Sequence, residues 1–160
     1  MKSTSVIATG LQEAINLELS LSLQYTLDAR NLKRYGLKIA KGFGCLAGQS
    51  RDFAKQLTSR LLFLEGEPGF APQPAKTHAN VSDIIGDAVK AETAIVARYS
   101  ALAKRAFDEG DMSNFHYYQH LAKWHREGDG KFKGHLAWLQ KQEWQLGEFG
   151  ETDYEEVKAQ

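Results

Sequence analysis

One cysteine, two methionines and three prolines in 160 residues exclude several architectures at once. Cys45 stands alone, so no intrachain disulfide framework can form, and a reducing cytoplasm is the expected compartment. As a small hydrophobe it is expected to be a buried free thiol. The formal charge balances, 20 basic residues against 20 acidic, which removes the basic excess that nucleic-acid binding draws on. No apolar run reaches the roughly 18 residues of a membrane span. The Ser-Thr-Ser that follows Lys2 opens no signal-peptide core. Pro68, Pro72 and Pro74 all fall between Gly66 and Val81, so that segment reads as a long loop between two helical hairpins.

What remains is helical periodicity, in one domain spanning residues 1–160. Helices are expected over about 6–35, 37–65, 82–109 and 114–146, with a short one over 151–158. The first carries Leu11, Ala14, Glu18, Leu21, Tyr25, Asp28 and Leu32 on one stripe, spaced by threes and fours. Leu17, Leu19, Leu23 and Leu27 lie off that stripe. The alternation resembles a strand, but a Gly- and Pro-free stretch from Leu11 to Tyr35 is too long for one. Apolar residues on more than one face then predict burial against a partner chain as well as within the bundle.

The second stripe holds Leu46, Ser50, Phe53, Leu57, Leu61 and Leu64. Gly42, Gly44 and Gly48 weaken its first half by about 1 kcal/mol each against alanine, so close approach of a neighbouring helix or ligand is expected there. The third stripe runs Ile85, Val89, Glu92, Ile95, Tyr99, Leu102 and Ala106. Asn80 or Ser82 is its cap and Gly110 its stop. The fourth holds Tyr118, Leu121, His125, Gly128, Phe132, His135, Leu139, Gln142 and Leu146. Glycines at 128, 130 and 134 predict a kink or break.

Several segments carry a family likeness. They are Glu18-Leu19, Gln24-Tyr25, Ala29-Arg30, Tyr35-Gly36-Leu37-Lys38, Arg60-Leu-Leu-Phe-Leu-Glu-Gly66, Gly134-His135-Leu-Ala-Trp-Leu139 and Tyr154. In these the chain resembles the bacterioferritins over nearly its whole length, least between Gly42 and Phe53 and between Asp111 and Phe132. The resemblance implies an all-α, ferritin-like antiparallel four-helix bundle with a long crossover loop and a short C-terminal fifth helix. It also implies a homodimer within a 24-subunit shell that stores ferric mineral. The family's di-iron site takes one Glu from each of two helices and a Glu-x-x-His from each of the other two. Mapped by position, the single glutamates are Glu18 and Glu92. The second-helix pair becomes Ser50 and Phe53, and the fourth-helix pair Phe132 and His135. Half the carboxylates are absent, and two rings are expected in the space the metals need. The fourth helix is also about two turns longer ahead of His135, so Glu127 reaches in if the glycine segment bends. The family's haem-ligating methionine falls on Arg51, which argues against methionine-ligated haem and leaves a dimer cleft near Leu19, Leu23, Thr26, Cys45 and Arg51.

Each of these residues has two readings. Glu18, Glu92 and His135 form either a residual mononuclear iron or zinc site or a metal-free cluster with a charged imidazole. Tyr25 and Tyr99 either orient those carboxylates or simply pack. His116 and His120, spaced i, i+4, are either a surface or channel metal site or solvent-facing rings; His125 is read as a packed, hydrogen-bonded core histidine. The functional expectation is an iron-storage shell subunit with an inactive oxidase centre, assembling alone or with an active sister subunit. The alternatives are a ferroxidase-type oxidoreductase with rebuilt ligands and a small-ligand or haem binder in the dimer cleft.

Overall fold

The computed structural model describes the backbone of residues 2–130 and 133–159, and the side chains of residues 6–36, 38–130 and 133–148. Phe132, expected in the bundle centre, lies outside the described residues. Among those described there are five α-helices: α1 (Lys2–Leu32), α2 (Leu37–Phe63), α3 (Val81–Asp108), α4 (Met112–Glu127) and α5 (His135–Ala159). α1 and α2 form one hairpin. α3 packs against α4 and the start of α5, which together make the fourth arm of the bundle.

The helices end where backbone chemistry ends them. A 3₁₀ turn at Lys33–Tyr35 leads to Gly36, whose φ of 134° admits only glycine without strain, and α2 begins at the next residue. Past α2 the chain folds back so closely that a Cβ on Gly66 would stand 2.4 Å from Leu61 Cδ1. Asn80, one of the two expected caps, accepts the Asp83 amide at 2.9 Å and starts α3. Asp111 caps α4 in the same way, 3.2 Å from the Asn114 amide.

The fourth arm is broken, as its glycines predict, and the break is wider than a kink. Gly128 and Gly130 take positive φ values, and Gly128 bridges to Lys133. Gly134 then seats the start of α5 on the end of α4. A Cβ there would lie 2.5 Å from the backbone nitrogens of Glu127 and Gly128 and from the Trp124 carbonyl oxygen. From His135 the helix runs unbroken to Ala159, so the stretch expected as a separate helix at 151–158 is continuous with α5.

The crossover from Leu64 to Asn80 lies along α1 on a polar ladder. Gln12, Asn16, Ser20 and Gln24, four residues apart, take the amides of Gly69, Ala71, Gln73 and Lys76 at 2.6–2.9 Å. Four helical residues rise about 6 Å and two extended residues about 6.6 Å, so the registers nearly match over the first three rungs, and the last step, to Lys76, takes three loop residues. The prolines at 68, 72 and 74 fall at positions whose missing N–H the ladder does not use.

One apolar core fills the bundle, with Tyr25, Phe43, Leu57, Ile84 and Tyr99 among its fully buried side chains. Gly42 is explained by Trp138 of α5, whose Cζ2 would be 2.3 Å from an added Cβ; Gly44 faces open space. Two sequence expectations need correction or division. Cys45 is exposed, not buried, because it points away from the Phe43–Leu46–Ala47 core face of α2. Off the main stripe of α1, Leu17, Leu19 and Leu27 are half-buried, and Leu23 is 47% exposed within this chain. Among the described residues no helix is long and apolar enough to cross a membrane.

Candidate functional site

The helix stripes converge on a polar cluster at the bundle centre. Glu18 arrives from α1, Glu92 from α3, His125 from α4 and His135 from the first position of α5; each is fully buried. Their periodic spacing puts them on inward faces, but burying four ionisable groups is costly unless they satisfy one another.

They largely do. His125 Nδ1 is 2.7 Å from Glu92 Oε2, and its Nε2 is 2.6 Å from Glu18 Oε1. Carboxylate oxygens accept, so both ring nitrogens donate and His125 is an imidazolium clasped between two anions. Burial works hardest against that charge, but Glu18 and Glu92 outweigh it and push His125 up to about 10. For Glu92, burial pulls upward, and the two imidazoles overcome it and hold the carboxyl well below the usual range.

The surrounding groups complete the network. His135 Nδ1 is 2.9 Å from Glu92 Oε1, and its Nε2 is 2.7 Å from Gln49 Oε1. The Tyr25 hydroxyl donates to Glu92 Oε1 at 2.5 Å and the Tyr99 hydroxyl to Glu18 Oε1 at 2.6 Å. Burial first, and then the neighbouring glutamates, raise both phenols well above their ordinary value, so they stay protonated donors. Tyr25 and Tyr99 therefore orient the two carboxylates as well as packing. Two buried oxygens of this region have no hydrogen-bond partner, Glu18 Oε2 and Ser50 Oγ.

Phe53 lies against the cluster, its ring 5.5 Å from that of His125 and 6.1 Å from that of Trp124. α2 thus contributes an amide, an unpartnered hydroxyl and a phenyl ring, and no carboxylate. That donor set does not fit a binuclear iron centre, whose oxide-bridged charge needs about four carboxylates in so dry a site. It does suit one divalent ion. Donor atoms of Glu92, His125 and His135 lie within 4.8 Å of one another, with His125 in the place expected for Glu18.

The remaining sequence expectations sort cleanly. Glu127 does not join the cluster: its side chain is 52% exposed and 3.5 Å from Arg126. Two helical residues turn the chain by about 200°, so with His125 facing inward Glu127 faces out, and the glycine break then redirects α5 instead of bending Glu127 toward it. His116 and His120 are both exposed, stacked near Phe115 and Tyr117, and neither belongs to the single three-residue metal-capable group found among the described residues. Thr26 and Arg51 line an open groove between α1 and α2 that does not include Leu19 or Leu23. His125 is a buried, hydrogen-bonded histidine as its stripe position predicts, but its place at the centre of the cluster is new. The available signal was that it is the only histidine on the inward stripe of α4. Gln49 gave no signal beyond lying beside Ser50.

Among protein families, the ferritin-like domain matches residues 8–147. Solved structures of similar fold include the Desulfovibrio desulfuricans bacterioferritin, whose diiron site was seen in different catalytic states. It is 20% identical with a TM-score of 0.87, over 99% of this chain and 90% of that one. The Rhodobacter capsulatus bacterioferritin, with a metal-free dinuclear site and a haem iron, is 19% identical with a TM-score of 0.84, over 95% and 92%. The Mycobacterium tuberculosis bacterioferritin is 17% identical with a TM-score of 0.84, over 94% and 92%. No curated protein matches the sequence.

Proposed function

The chain belongs to the ferritin-like domain family, and on that premise we propose that it is a cytoplasmic iron-storage shell subunit whose oxidase centre has been closed by a salt-bridged polar cluster. It dimerises through α1 and α2 and assembles into a shell of about 24 copies, alone or with an active sister subunit. The observation that carries the reading is His125: its ring stands between Glu18 and Glu92, 2.6 and 2.7 Å from their oxygens. A protonated imidazole there takes over part of what a metal pair does in an oxidase, by offsetting the charge of inward-facing glutamates. Phe53 covers one side of that ring. The half-exposed Leu23 supports the dimer, since a second copy would cover it.

A second reading rests on the orphaned Glu18 Oε2. A divalent ion with both imidazoles as neutral ligands would match the charge of the two glutamates. Glu92, His125 and His135, with Glu18, would then hold one ion, and the protein would be a mononuclear metal-dependent oxidoreductase.

Metal analysis of protein purified without chelator, compared with His135→Ala so that only ions held at the bundle centre are counted, separates these readings. Fewer than one ion per bundle centre, and Fe(II) oxidation no faster than in Glu18→Ala, is the expected result. Two ions per centre would overturn the closed-site reading. One ion, together with oxidation that Glu18→Ala abolishes, would establish the second.

A further inference from the structure

We propose a second, separate divalent-cation site, formed by Asp28 and His78 where the crossover loop meets α1 and α3. His78 is held by Asp87, whose Oδ2 is 2.7 Å from Nε2, a good hydrogen bond. Its other nitrogen has no such partner. Nδ1 is buried without a hydrogen bond, and Asp28 Oδ1 stands 3.6 Å away, too far to accept one. In the neutral ring with its proton on Nε2, toward Asp87, Nδ1 turns a lone pair toward Asp28 Oδ1 3.6 Å away and leaves room for a cation between them.

A cation resolves that arrangement. Around a tetrahedral divalent ion with bonds of about 2.1 Å, neighbouring ligand atoms stand roughly 3.4 Å apart, close to the observed separation. The order Asp87, Nε2–H, imidazole, Nδ1, ion is the one metal-bound histidines adopt, with a carboxylate fixing the tautomer from behind. Asp28 is 2% exposed and its Oδ1 takes the Gln24 amide at 3.0 Å, so the carboxylate is held in place and not free to turn away. Both residues line an open cleft in which Lys76 is the only basic residue, and Lys76 is exposed. Solvent reaches the cleft and can supply the remaining ligands. Tyr25 lines it too, and its hydroxyl bonds Glu92. An ion held here therefore sits one side chain from the bundle centre, on the surface side of it.

Cobalt(II) titration of the chelator-treated, assembled protein tests the site, with bound ions counted by calorimetry and their coordination read from visible absorption. His78→Ala is expected to bind one ion per chain fewer than wild type. Asp87→Asn keeps the ion but binds it 10–100-fold more weakly. His135→Ala, in the central cluster, leaves this ion in place, so occupancy of the centre does not enter the result. Asp28→Asn, of the same shape as the native residue, is the companion to His78→Ala should that variant disturb the loop, and it also loses the ion. Equal stoichiometry and affinity in wild type, His78→Ala and Asp28→Asn would overturn the site.

Discussion

Replacing His125 with leucine removes the only cation that, among the described residues, two fully buried glutamates share. Leucine suits the apolar side of that position, where Phe53 and Tyr99 lie near the ring, so packing loss is small and the electrostatic effect dominates. Stranding a buried charge by deleting its partner costs about 3–5 kcal/mol. For a chain of this length each kcal/mol lowers Tm by about 2–4 °C, so a fall of roughly 6–20 °C is expected. The pH dependence is the sharper signature. His125 has a folded value of about 10 against an ordinary 6.5, so its contribution is complete below 6.5 and lost as pH rises through 10. Glu92 is depressed below its ordinary 4.5, so its contribution is present above 4.5 and lost as pH falls. Wild type is therefore flat in this respect between about pH 4.5 and 6.5. The leucine variant leaves buried carboxylate charge without its shared cation, and burial without a cation favours the protonated form, so stability recovers toward the acid end of that window. Calorimetric melts of both proteins at pH 6.5 and pH 5, matched in assembly state by gel filtration, give the comparison. A gap under about 3 °C at pH 6.5, or one that widens at pH 5, would refute the account of His125 as the central countercharge.

Other consequences are as direct. Ser50→Glu combined with Phe53→His places a Glu-x-x-His pair on α2, and metal analysis after anaerobic Fe(II) loading should count more bound iron per chain than in wild type. Gly42→Ala drives a Cβ to 2.3 Å from Trp138 and should lower the urea midpoint by the equivalent of about 1–3 kcal/mol. Gly86→Ala, on α3, meets nothing within 4 Å and should raise it by up to about 1 kcal/mol. Gly134→Ala collides with three backbone atoms that cannot swing aside, so its melt should fall further than that of Gly42→Ala. The proton resonances of His135 should shift with it as α5 lifts from α4.

The arms of the bundle were legible because each carries an unbroken stripe of threes and fours, with glycine or a capping side chain where it stops. Glu18 and Glu92 could be placed inward for the same reason. Ser50 and Phe53 could be seen to lack carboxylate chemistry from their residue types alone. The fourth arm was harder to read. Three glycines in seven residues announce a disturbance there but not its form. Only the packing of Gly134 onto the α4 terminus shows that two helices meet end to end. The loop was also only partly readable: its prolines mark it as extended, while the polar ladder pairs residues more than 50 positions apart.

Residue order by itself settled that this chain is helical, where its helices stop, and which side chains turn inward, since backbone geometry repeats every 3.6 residues whatever lies opposite. Tertiary structure decided who meets whom. His125 finds Glu92 from 33 residues away and Glu18 from 107, and it lies between them because the glycine break lets α4 end, and α5 begin, beside the same two carboxylates. Periodicity assigns a face to a residue, but the charge waiting across the bundle belongs to another helix, and only packing brings the two within reach.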